Sequence, residues 1–181
     1  MNNNYARYQI TSTGNRVSEA DWFYEQSDVA LNRGDLYVGF AELTITGESE
    51  AVMHMTTGAN KDVKLVGYTI TTDSTEVIEQ IIEEPTITTG TTELTVYNAN
   101  RQSSNTPEFT IFTDSTYQSN GTVIYEDQAF EAKKGGTTFG IADEHTHMRF
   151  KRSSDYILRI QNIPNSQYKF FVRFYFHEST E

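Results

Sequence analysis

The chain reads as all-β: an antiparallel β-sandwich, jelly-roll-like, with little or no helix. Three observations lead there. The first is composition, since 25 of 181 residues are Thr and another 22 are Tyr or Phe. Such side chains fit a pleated, half-buried surface and are middling helix formers. The second is alternation. Between Tyr168 and His177 one face carries Tyr168, Phe170, Val172, Phe174 and Phe176, and the other Lys169, Phe171, Arg173, Tyr175 and His177. That is a strand with one buried face and one amphipathic face. The third is punctuation. Short runs are separated by turn residues, as sandwiches and barrels require.

Taken in order, Ser18-Glu19-Ala20-Asp21 can open a short helix through Trp22-Phe23-Tyr24 as a capping box, but three successive aromatics suit a strand equally. Strand-like runs follow at residues 35–46, 51–56 and 63–71. Residues 75–84 have apolar pairs four apart, a helical spacing, yet their β-branched content and the following Pro85 favour a strand. Further runs lie at residues 93–97, 108–113, 122–126, 147–151 and 156–163, before the closing aromatic strand. Thr46-Gly47-Glu48, Gly58-Ala59-Asn60, Thr89-Gly90-Thr91, Asn120-Gly121, Lys134-Gly135-Gly136 and Pro164-Asn165-Ser166 supply the turns. Pro85, Pro107 and Pro164 fall between the runs, where they delete no ladder hydrogen bond.

The chain is long enough for one sandwich over residues 1–181, or for an N-terminal β subdomain over 1–82 followed by a β module over 83–181. The opening Met1-Asn2-Asn3-Asn4 does not read as a signal peptide, and no apolar stretch is long enough to span a membrane. The formal net charge of -11 argues against a nucleic-acid partner, because such binders neutralise phosphates. Without cysteine there are no disulfides, thiolate metal sites or thiol catalysis. Charge is uneven along the chain. Acids dominate from Glu42 to Glu93, and Arg149, Lys151, Arg152, Arg159, Lys169 and Arg173 cluster later with Asp155. Either these are solvated outer faces, or Arg149, Lys151 and Arg152 form a docking surface, with head-to-tail contact between copies one possibility.

Chemistry is sparse. No phosphate-cradling loop, dinucleotide fingerprint, serine elbow or calcium loop occurs. His145-Thr146-His147 comes nearest to a metal site, since His145 and His147 would share one face of a strand. Two imidazoles supply half a tetrahedral set, and a polar loop explains them equally, so no metal and no cofactor is assigned. Acid pairs are too numerous to single one out for glycoside hydrolysis, and the chain is not read as an enzyme. Trp22-Phe23-Tyr24, or the outward Phe171 and Tyr175, could stack on sugars; burial in a core or interface explains them as well.

The order of elements from about Glu83 to His177 adds a resemblance. An extended Glu84-Pro85-Thr86-Ile87-Thr88-Thr89-Gly90-Thr91 leads to the strand Leu94-Thr95-Val96-Tyr97, which ends in the corner Asn98-Ala99-Asn100-Arg101-Gln102-Ser103. The turn and strand Asn120-Gly121-Thr122-Val123-Ile124-Tyr125, the loop Lys134-Gly135-Gly136, the strand Tyr156-Ile157-Leu158-Arg159-Ile160 and the aromatic closing strand follow. This layout resembles the capsid decoration, or cement, proteins of tailed bacteriophages over about half the chain. The resemblance implies a virion structural protein, folded in the host cytoplasm and bound to the outer capsid surface. Its partners would be the major capsid protein and further copies of itself, most plausibly as a trimer. Asn98, Asn100 and Arg101 would form a structural corner, with the Asn side chains satisfying backbone groups. The alternative is a phage-exterior adhesion or carbohydrate-binding module, such as a head fibre or tail component.

Overall fold

The computed structural model describes residues 8–10, 16–18, 29–130, 137–139 and 148–180. Strands β1 (Tyr8–Ile10) and β2 (Arg16–Ser18) pair antiparallel, and a helical turn covers residues 29–33. Twelve further described strands follow: β3 (Leu36–Ile45), β4 (Ser49–Thr56), β5 (Asp62–Thr72), β6 (Glu76–Glu83), β7 (Thr86–Thr88) and β8 (Val96–Asn98), then β9 (Thr110–Ser119), β10 (Thr122–Phe130), β11 (Thr137–Phe139), β12 (Met148–Phe150), β13 (Asp155–Asn162) and β14 (Tyr168–Ser179). They make a two-layer antiparallel sandwich. The first sheet runs β10-β6-β13-β4-β9-β7; the second runs β11-β5-β14-β3-β8, with β12 also on β5.

The alternation in β14 sets the sandwich. Phe170, Val172, Phe174 and Phe176 are buried between the layers, and Lys169, Phe171, Arg173 and Tyr175 point out. Each inward phenylalanine stabilises the fold by roughly 1.5–3 kcal/mol through the surface it removes from water. They meet Tyr37, Leu43 and Ile45 from β3, Met53 and Met55 from β4, Ile70 from β5 and Ile160 from β13. β14 lies between β3 and β5, and β13 between β4 and β6, so strands from before and after residue 83 share both sheets.

Residues 75–84, ambiguous in sequence, are the strand β6, paired with β10 and β13. Asn120 (φ 62) and Gly121 (φ 89) both adopt positive φ, as a tight turn requires. The strands they join do not pair with each other: β10 hydrogen-bonds β6, and β9 pairs with β4 and β7. Ile87 of β7 and Tyr117 of β9 pack on Val52, Ile82 and Ile157, which face away from the main core. The Arg159 guanidinium lies 5.2 Å from the Tyr117 ring centre. The first sheet therefore carries a cap of its own chain over its outer apolar residues.

Buried polar groups fasten the layers at their ends. The Asn162 amide donates to the carbonyls of Thr46 (3.0 Å) and Ser166 (2.7 Å), and its Oδ1 accepts from the Ser74 hydroxyl at 2.8 Å. Glu178, also buried, accepts from the Glu108 N–H at 2.7 Å and pairs with Lys61 at 3.0 Å. A buried carboxylate is tolerable because both of its oxygens are engaged.

Candidate interaction face

Among the described residues, no strand packs over the outer face of the second sheet. Antiparallel register builds it row by row. Phe171 lies between Thr71 and Glu42, Arg173 between Thr69 and Phe40, Tyr175 between Gly67 and Val38, and His177 between Lys64 and Leu36. Tyr97 of β8 extends the third row beside Val38. Phe40 is 61 % exposed and Phe171 50 %, and Tyr97 and Tyr175 are exposed beside them. The Phe40 and Tyr97 rings stack with centres 6.1 Å apart, and the Arg101 guanidinium sits 5.5 Å from the Tyr97 centre. Phe40 and Phe171 border a shallow depression that Thr69, Thr71, Glu42 and Arg173 also line. Contiguous exposed aromatics of this kind mark interaction surfaces.

The face is cationic within an acidic chain. Among the described residues, Lys64 and Arg173 have no acidic partner and Arg101 engages the Tyr97 ring. Glu42, the face's one acid in these rows, pairs with Lys169. His177 is held below its ordinary pKa by burial and by Lys64, so it is neutral at pH 7.

Of the residues singled out in the sequence, Arg101, Phe171 and Tyr175 reach this face, and the histidines and the basic stretch do not. His145 and His147 fall outside the described residues. Arg152 pairs with Asp62 at 2.6 Å, Arg149 approaches the same carboxylate at 3.8 Å, and Lys151 bonds Glu83 at 3.1 Å and Glu84 at 3.5 Å. This basic stretch therefore meets acids of its own chain. At the corner, the Asn98 amide donates to the Gly34 carbonyl at 2.7 Å, and its Oδ1 accepts from the Asn100 N–H at 2.9 Å. Asn100 Oδ1 accepts in turn from the Gln102 N–H at 3.0 Å. Gly34, at φ 75, has no room for a side chain, since a Cβ there would lie 2.1 Å from Ser103 Oγ. Sequence reasoning picked out Phe171 and Tyr175 as outward aromatics but missed Phe40 and Tyr97, which join them only through cross-strand register.

Two buried titratable groups were also missed. His54 Nε2 lies 2.8 Å from Asp155 Oδ1, which also accepts from the Thr56 hydroxyl at 2.8 Å, while Nδ1 is buried without a partner. A hydrolytic relay places hydroxyl and carboxylate on opposite ring nitrogens, and here both crowd Nε2. Glu79 is fully buried, and neither carboxylate oxygen has a hydrogen-bond partner in good geometry. Burial pushes its carboxyl up to about 7, against the opposing pull of the Tyr68 hydroxyl. Among the described residues no three His, Asp or Glu gather as a metal site.

No family model and no curated protein matches the chain. Among solved structures, the Yersinia pseudotuberculosis-derived mitogen aligns over 76 % of this chain and 83 % of its own, at 9 % identity and a TM-score of 0.33. A likeness that distant carries no argument about what this chain does.

Proposed function

We propose that this chain is a virion structural protein, a decoration or cement protein that binds the outer surface of a phage head and stabilises it. The observation that supports this best is the cluster of aromatics, Phe40, Tyr97, Phe171 and Tyr175, exposed among the described residues on the outer face of the second sheet. A sheet face offers a broad platform, which suits docking between proteins better than enclosing a small substrate. The resemblance in element order between Glu83 and His177 points the same way. On this reading the partners are the major capsid protein and further copies of the chain, as a trimer, with no nucleic acid and no cofactor. Modest individual contacts suffice, because an oligomer held at several points gains avidity.

Deleting the gene tests the reading. Heads should still assemble but rupture at lower temperature or lower salt, and adding the purified protein back should restore them. Heads equally robust without it would overturn the proposal.

A second reading, a carbohydrate-binding module on the phage exterior, draws on the depression between Phe40 and Phe171, whose lining includes the Thr69 and Thr71 hydroxyls. Rings of this kind can stack on sugars. Saturating binding to a defined glycan, abolished by Phe171→Ser, would favour it over cement.

A further inference from the structure

Among the described residues, the large exposed apolar side chains fall mainly into two groups. One is the aromatic face. The other is Val123 and Ile124 on β10, the edge strand of the opposite sheet. Beyond them on the same strand come Glu126 and Asp127, both exposed. Glu126 accepts a hydrogen bond from Gln80, and Asp127 from the Gln128 N–H at 2.8 Å; neither meets a cation among the described residues. Among the described residues β10 pairs with β6 alone and forms the edge of its sheet.

These two surfaces complement each other. The face offers Phe40 and Phe171 beside Arg173, with Lys64 farther along β5; the edge offers Val123 and Ile124 with Glu126 on the outer side of β10 and Asp127 on its inward side. Among the described residues, each carries charge of one sign without an opposite partner, near exposed apolar side chains. We propose that the aromatic face of one copy docks on the β10 edge of a second copy. Apolar contact supplies the affinity, and the charges fix the orientation and exclude a face-to-face dimer, in which Arg173 and Lys64 would confront their own kind. The contact is heterologous, so it closes into a ring or continues as a filament according to the rotation between copies. It covers the exposed edge strand at the same time.

The test is sedimentation velocity of the full chain over a micromolar concentration series at low and high salt. The wild type should sediment as an oligomer, with association weakened but not lost as salt screens the charge contacts. A face-reversed variant (Lys64→Glu with Arg173→Glu) and an edge-reversed variant (Glu126→Lys with Asp127→Lys) should each be weakened by about tenfold or more. Mixed together, the two variants should associate again, since the acidic face of one then meets the basic edge of the other. Both sites are exposed, and unchanged circular dichroism verifies the fold. Should either charge variant fail to fold, the uncharged changes Phe171→Ser and Val123→Ser replace it, and both should give monomer. A wild type that stays monomeric, an oligomer indifferent to both variants, or one lost in the face variants but kept in the edge variants would overturn the proposal. Such a failure leaves the capsid reading standing, because that reading is tested on virions.

Discussion

Glu79 sits on the inward side of β6, facing Tyr68 from β5 and, from β10, Tyr125 together with the more distant charge of Asp127. Its carboxyl titrates near 7 in the folded chain against 4.5 when exposed. Below pH 4.5 it is protonated in both states and adds no penalty. Between those values the unfolded chain releases its proton while the folded one keeps it, so stability falls as pH rises. The slope over that window is about 1.4 kcal/mol for each pH step of one, and above 7 the loss levels off at about 3 kcal/mol. Glu79→Gln should remove that slope and stabilise the protein at pH 8 by about 1–3 kcal/mol. Urea unfolding of both proteins at pH 5 and pH 8 checks this, and an equal pH dependence in the variant would refute it. Asn162 works in the opposite sense. Asn162→Ala removes the donor to the Thr46 and Ser166 carbonyls and an acceptor of the Ser74 hydroxyl, and should cost about 1–3 kcal/mol at every pH.

At the scale of elements, legibility followed burial. β14 was plain in the sequence because one of its faces is dry and the other wet. β6 was ambiguous because both of its faces are partly buried: Val77 and Ile81 in the core, Ile82 beneath the β7–β9 cap, and Glu79 among the inward positions. A strand covered on both sides loses the two-residue period. Tyr117→Ala should uncover Val52, Ile82 and Ile157 and cost about 1–3 kcal/mol. Faster hydrogen exchange in β7 and the far half of β9, with β14 unchanged, would show that the cap opens by itself; uniform change across both sheets would show that it does not. The turn at Gly90 depends on a similar fit. The Asp114 carboxylate accepts from the Thr92 N–H at 2.9 Å and from the Thr91 and Thr92 hydroxyls, which holds its pKa down to about 2. A Cβ on Gly90 would lie 1.8 Å from Asp114 Oδ1, so Gly90→Ala should break this clasp and speed exchange of the Leu94 amide.

Over the whole molecule, composition and alternation were enough to predict a sandwich, but not which surface stays free. Arg149, Lys151 and Arg152 looked available because their acidic partners, Asp62, Glu83 and Glu84, lie 67 to 90 residues away in the chain. The aromatic face stayed hidden for a related reason: its rings come from β3, β8 and β14 and meet only once the register is set. The net charge of -11 is therefore unevenly spread, with a cationic aromatic face on one sheet and an acidic apolar edge on the other. Reversing Arg149 should weaken its contact with Asp62 but leave docking at the aromatic face intact, whereas Arg173→Glu should impair docking without loss of fold. Sedimentation velocity of the two variants separates the two outcomes.

On the proposal made above, this chain coats a phage head. The most direct test is its copy number in purified virions, measured by quantitative mass spectrometry against the major capsid protein. A coat of this kind requires copies on the same scale as the capsid protein itself. A handful per particle would place the chain at a vertex, neck or tail, and none at all would contradict the claim outright.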